Sequence, residues 1–162
     1  MKITDPNESA LAPTLDASGL RIALVAARFN GKYVEALRQG AHRAWVRHGG
    51  DPARLVEFQV PGAFELPWAC KRLALGGEYG AIVALGCVIR GDTAHFDFVA
   101  GECARGLMQV GLETGIPVIF GVLTVENEDQ AAERADPAQL DKGGEAMCGA
   151  IQLARGLKEA RR

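Results

Sequence analysis

The sequence predicts an α/β protein, a three-layer α/β/α sandwich built on a mostly parallel four-stranded sheet. Three observations carry that reading. Short, continuous apolar runs such as Ile22–Ala26 and Ala81–Val88 read as strands buried on both faces, as parallel strands are. The stretches between the runs carry apolar residues at helical spacing and end on glycine. Strand and helix alternate four times, with one extra helix at the end, a pattern that folds through right-handed crossovers. There are no internal repeats and no low-complexity tract.

Residues 1–18 are polar, hold Pro6 and Pro13, and lack periodicity, so they read as an N-terminal arm ahead of a domain spanning 19–162. Ile22–Ala26 is the first strand, and the Asn30-Gly31 turn follows it. Phe29 therefore stands at a strand's C-terminal rim, where it either packs beneath the next helix or stacks on a planar ligand. The helix over Lys32–Gly49 places Val34, Leu37, Ala41, Ala44 and Trp45 on one face. Leu55–Val60 alternates apolar and polar residues, reads as the second strand, and stops at Pro61-Gly62. Ala63-Phe64-Glu65-Leu66-Pro67 then opens a helix in which Pro67 fits the first turn. Glu65 either complements the helix dipole or accepts from the N–H and hydroxyl groups of a ligand.

Ala81–Val88 is the third strand, and a turn centred on Gly91 leads to a helix beginning near His95. The stretch from Gly86 to Phe98 brings a glycine, a hydroxyl, a carboxylate and an imidazole to the end of a buried strand. That rim is where open α/β sheets bind ligands, and a helix start suits an anion. Asp92 or Thr93 also fits a plain N-cap, and His95 an ordinary first-turn position. The helix carries Phe96, Val99, Ala100, Cys103, Leu107, Val110 and Gly111 on one stripe and ends at Gly115. Pro117–Leu123 reads as a fourth buried strand, with Pro117 at the tolerated first position and Phe120 in the core. Glu128–Ala135 is a short helix capped by Asn127 and broken at Asp136-Pro137. Lys142-Gly143-Gly144 leads into the last helix, whose buried face is Met147, Ala150, Ile151, Ala154 and Leu157. Its last turn, with Lys158, Arg161 and Arg162, suits the helix dipole.

Composition narrows the function. At 162 residues, 48% hydrophobic and 23% charged, the chain supports one globular domain with a core that needs neither disulfide nor metal. A net charge of −2, with no basic run before Arg161-Arg162, argues against nucleic acid as a partner. Cys70, Cys87, Cys103 and Cys148 are far apart, form no C-x-x-C, and do not pair with His42, His48 or His95 at metal-ligand spacing. They read as buried free thiols of a reducing compartment, and no metal is expected. No apolar run reaches membrane-spanning length, and Met1–Leu20 lacks the apolar core of a signal peptide, so the expected location is the cytoplasm. The dinucleotide fingerprint, the P-loop and the G-x-S-x-G elbow are all missing. General acid–base chemistry on a small molecule remains, with His95 as the one histidine at a strand rim.

Five blocks sharpen this reading: Ala27–Asn30, Val60–Pro67, Gly86–Phe98, Pro117–Thr124, and a last group comprising Glu126-Asn127, Gln130-Ala131, Glu133-Arg134-Ala135 and Lys142-Gly143. In residue type, order and spacing, from about Leu20 to the C-terminus, the chain resembles the 6,7-dimethyl-8-ribityllumazine synthases of riboflavin biosynthesis. The resemblance implies a flavodoxin-like fold. It also implies a transferase activity that condenses 5-amino-6-(D-ribitylamino)uracil with 3,4-dihydroxy-2-butanone 4-phosphate, giving the lumazine, phosphate and water without metal or organic cofactor. By resemblance, Phe29 stacks on the pyrimidine, Ala63, Phe64 and Glu65 hold the ribityl chain, and the backbones of Cys87, Val88 and Ile89 read the uracil edge. Asp92, Thr93 and Arg134 would bind the phosphate, and His95 would transfer protons. Phe120, Arg134 and Lys142 match positions that a neighbouring subunit contributes.

The family context also implies a homopentamer, and arm 1–18 would add to a neighbour's sheet. The loop Asp136–Asp141 departs in composition from the family's glycine- and lysine-rich loop but carries no insertion, which permits an icosahedral shell of sixty subunits. Cys87 replaces a small hydroxyl residue or alanine, without consequence if only its backbone is used. Two other readings share the fold. A non-catalytic flavin- or lumazine-binding shell protein would lose His95 or the phosphate site, and this chain keeps Thr93, His95 and Arg134. An archaeal-type riboflavin synthase would have no use for phosphate-binding residues.

Overall fold

The structure is a computed structural model that describes residues 15–160. Most of the expected arm, and the terminal Arg161-Arg162 pair, lie outside the described residues. Four strands, β1 (Ile22–Ala27), β2 (Leu55–Val60), β3 (Ala81–Ile89) and β4 (Val118–Val125), form one all-parallel sheet in the order β2-β1-β3-β4. Five helices connect and flank them: α1 (Gly31–Arg47), α2 (Leu66–Leu75), α3 (His95–Thr114), α4 (Glu128–Ala135) and α5 (Lys142–Ala160). Short 3-10 turns at Pro52–Arg54 and Ala63–Glu65 complete the path.

The period of two in the strands divides the core. Ile22, Leu24 and Ala26 of β1, with Val83, Leu85 and Cys87 of β3, pack under α1, α4 and α5. Ala23, Val25, Ala27, Ile82 and Ala84 face the opposite way, under α2 and α3. Both central strands are thus covered on each face, which explains their unbroken apolar runs. The sandwich expected from the alternation is the one observed.

Two details depart from expectation. β4 is not buried on both faces: its cover reaches Gly121, Val122, Leu123 and Val125, while Val118 and Ile119 are half-buried. Phe120, read as core from its pattern, is 44% exposed. A short apolar run does not distinguish a central strand from an edge strand, and β4 sits at the edge. Residues 15–18 are also not a free arm. Ala17 is fully buried, its N–H donates to the His48 carbonyl (2.8 Å), and Arg155 donates to the Asp16 carbonyl (3.0 and 2.9 Å).

The α1–α5 crossing sets where α5, and hence Lys142, begins. Asp141 adopts a left-handed backbone (φ 42°) and its carboxylate accepts from the Gly144 N–H at 3.0 Å, capping the helix. Gly143 lies directly against α1, so a Cβ there would fall inside the Leu37 carbonyl, a backbone group that cannot step aside. Gly143→Ala is expected to destabilise the fold by roughly 2–3 kcal/mol, the range of overpacked cores. Thermal unfolding checks this, and an unchanged midpoint would contradict the close approach.

Candidate active site

Because all four strands run parallel, their C-terminal ends share one rim. In the order β2-β1-β3-β4 the connections leave in opposite directions between β1 and β3, and a crevice opens there. It is a cavity of about 710 Å³ lined by the segments that follow β1, β2 and β3. Nine of the residues singled out from sequence line it: Phe29, Ala63, Phe64, Glu65, Cys87, Val88, Ile89, Thr93 and His95. Other voids lie along α5 and at the opposite end of the strands and contain none of them.

Each segment is held at the rim by backbone bonds. Arg28 and Phe29 N–H groups donate to the carbonyls of Val60 and Pro61 (2.9 and 3.0 Å), binding the exits of β1 and β2 together. Phe29 does not pack beneath α1: it is 71% exposed, with its ring on the cavity. Glu65 Oε2 accepts from the Gly62 N–H (2.9 Å), closing its own turn, and Glu65 is among the residues that line the cavity. At the start of α3 no side chain caps the helix at Ala94, so neither Asp92 nor Thr93 is its N-cap. The Thr93 hydroxyl instead accepts from the His95 N–H at 3.3 Å. Asp92 is exposed and stands beside the lining residues rather than among them.

β1 pairs with β3 only from Ala81 to Leu85. Beyond that point the Cys87 carbonyl accepts from Asn30 Nδ2 at 2.8 Å, which shows that it faces the β1 side. Alternation places the backbone groups of Ile89 on the same side. The strand end therefore offers main-chain donors and acceptors to the crevice. The Cys87 side chain points away, into the core under α1 and α5.

The thiols and the phenol near the cavity are held in their neutral forms. Burial pushes the Cys87 thiol up to about 11, so it stays neutral in the core and is not a nucleophile. Behind the wall, Tyr33 donates to Glu128 at 2.8 Å, and that carboxylate pushes the phenol up to about 12, removing it as a base near neutrality. Burial likewise pushes Cys70 to about 12 and Cys103 to about 11. All four cysteines are free, three are buried, and Cys148 is only half-buried, against the expectation for all four. Among the described residues, no group of three or more His, Cys, Asp or Glu side chains is placed to hold a metal ion. No helix of the described residues is long and apolar enough to cross a membrane.

Within one chain, Phe120, Arg134 and Lys142 do not line the cavity. Phe120 lies in mid-strand on β4, opposite Ala84. Arg134, on α4, donates to the Gln130 carbonyl at 3.2 Å and lies 3.4 Å from Glu133, and Lys142 pairs with Glu145 at 2.5 Å. Sequence reasoning passed over several lining residues, chiefly Asn30, Phe96 and Phe98. Asn30 read only as a turn residue. It does take the left-handed turn conformation (φ 55°), and its amide also secures the end of β3.

The family model described as 6,7-dimethyl-8-ribityllumazine synthase matches residues 19–158. Proteins named 6,7-dimethyl-8-ribityllumazine synthase are similar along most of their length. The one from Thermus thermophilus is 48% identical over 148 residues, covering 91% of this chain and 94% of the relative. That of Deinococcus radiodurans is 48% identical, covering 92% and 96%, and that of Chlorobium chlorochromatii 49%, covering 86% and 90%. With its parallel α/β sheet, its rim cavity and this match over nearly its whole length, the chain belongs to the 6,7-dimethyl-8-ribityllumazine synthase family.

Proposed function

We propose that this protein condenses 5-amino-6-(D-ribitylamino)uracil with 3,4-dihydroxy-2-butanone 4-phosphate, releasing phosphate and water. The observation that carries the proposal is the convergence of Phe29, Glu65, Thr93, His95 and the β3 strand end on one cavity. The exposed Phe29 ring supplies a stacking face, the strand-end backbone matches a uracil edge, and Ala63, Phe64 and Glu65 line the part suited to a polyol. The Thr93 hydroxyl, the backbone N–H of Asp92 and the positive end of the α3 dipole suit a phosphate.

The pyrimidine amine attacks the ketone, water leaves to form the imine, phosphate departs from the carbon chain, and ring closure expels the second oxygen as water. Every step moves protons and none moves electrons to an outside acceptor. His95 takes and returns those protons at its imidazole. Holding two reactants side by side supplies much of the remaining acceleration.

A second part of the proposal concerns assembly. Trp68 (71% exposed) and Leu75 on α2, and Phe98, Met108 and Leu112 on α3, leave an apolar face uncovered in the single chain. On α3 the exposed apolar residues Phe98, Met108 and Leu112 lie along one face together with Gly101 and Arg105. We infer a homopentamer in which Phe120, Arg134 and Lys142 of one subunit complete the cavity of the next, with closure into a larger shell open to the chain. Domain 19–162 would be the catalytic unit and 1–18 its arm, of which residues 15–18 pack against the domain. Free thiols in all four cysteines fit the reducing cytoplasm.

The direct test mixes both substrates with purified protein and follows lumazine absorbance together with phosphate release. One phosphate per lumazine is expected. Binding of lumazine without its formation would return the protein to a non-catalytic role.

A further inference from the structure

Nothing in the packing explains how the turn that carries Thr93 and His95 keeps its shape. Gly91, Asp92, Thr93, Ala94 and His95 are all exposed, and α3 starts without a side-chain cap. Within the turn, the His95 N–H reaches Thr93 Oγ1 at 3.3 Å and the Asp97 N–H reaches the Ala94 carbonyl at 3.0 Å. Such a turn, left to those bonds, samples many shapes.

Arg90 spans its base. The Arg90 N–H donates to the Val125 carbonyl (2.9 Å), which seats the residue at the last rung between β3 and β4. Nε donates to Glu126 Oε2 at 2.8 Å, just past β4. Nη2 pairs with Asp97 Oδ1 at 3.2 Å, two residues beyond His95. The guanidinium also lies 4.2 Å from the centroid of the Phe96 ring, and Phe96 lines the cavity. One planar group thus ties the entry of the turn to its exit and both to the sheet.

We propose that Arg90 is a positioning residue: through Asp97, Glu126 and Phe96 it fixes the turn that aims His95 and Thr93 into the cavity. The assignment of His95 and Thr93 rests on the function proposed above. Arg90 Nε and Nη2 are each directed at a carboxylate, and Arg90 is not among the residues that line the cavity.

The test compares wild type, Arg90→Met, Arg90→Lys and the double variant Asp97→Asn/Glu126→Gln, which leaves Arg90 in place. In steady state with both substrates, Arg90→Met should lower kcat by about 10-fold to 10²-fold, the scale of an ångström-sized misplacement. The double variant should fall comparably, and adding Arg90→Met to it should lose little more, since one tie is broken only once. Lysine keeps the charge but not the fork and should restore only a small part. KM for the pyrimidine should stay within about twofold. A double variant with wild-type kcat, or Arg90 variants that only raise KM for the butanone phosphate, overturns the proposal.

Hydrogen exchange across Gly91–Asp97 needs no substrate and should speed up about tenfold in both Arg90→Met and the double variant. Unchanged exchange there also overturns it. Should Arg90→Met fail to fold, the double variant gives the same readings. A wild-type protein that makes no lumazine would sink the proposed function, while the exchange measurement would still decide the role of Arg90.

Discussion

His95→Ala is expected to lower kcat by about 10²-fold, the usual share of a positioned acid–base group, and to leave measurable turnover. The imidazole lines the cavity from the exposed first turn of α3, where it supports no core contact. Its loss should therefore leave thermal unfolding where it was. Turnover should persist because the amine is itself a nucleophile and the cavity still holds both reactants together. KM for the pyrimidine should move little, since stacking on Phe29 and backbone contacts at the end of β3 remain. Lumazine absorbance under saturating substrates measures the effect, and unchanged kcat would remove His95 from the mechanism.

Arg134→Ala should raise KM for the butanone phosphate by about 10-fold to 10²-fold, in line with loss of a charge-assisted fork. KM for the pyrimidine should change by no more than about threefold. In the isolated chain the guanidinium makes only long contacts, 3.2 Å to a carbonyl and 3.4 Å to Glu133. It therefore has donors left to offer a phosphate. Arg134→Lys should recover charge without the paired geometry and sit between the two. Equal rises in both KM values would argue that Arg134 shapes the site in general and has no specific hold on phosphate.

How far the sequence alone reaches is seen residue by residue. Ile22–Ala26 and Ala81–Val88 were legible as central strands because burial on both faces leaves no polar position in them. The start of α3 at His95, and Asn127 as the cap of α4, whose side chain accepts from the Gln130 N–H at 2.9 Å, follow from local chemistry. Phe120 was not legible, because strand order is set by the whole sheet and an edge strand can be as apolar as a central one. Asn30 illustrates the same limit at the site. Its turn role is local, but its bond to Cys87 joins residues 57 positions apart. Phe29, in contrast, was placed at the rim by its position after β1, and its exposure rules out packing beneath α1.

In the proposed assembly, Phe120, Arg134 and Lys142, which lie off the single-chain cavity, complete the site of a neighbouring subunit. Co-assembly of His95→Ala protomers with Arg134→Ala protomers tests that most directly. In a head-to-tail ring formed by random mixing, roughly a quarter of the interfaces would pair an intact His95 with an intact neighbouring Arg134. The mixture, unfolded and reassembled together at limiting butanone phosphate, should then recover about that fraction of wild-type activity, well above either variant assembled alone. A mixture no more active than the average of its two components would show that His95 and Arg134 do not serve one shared site.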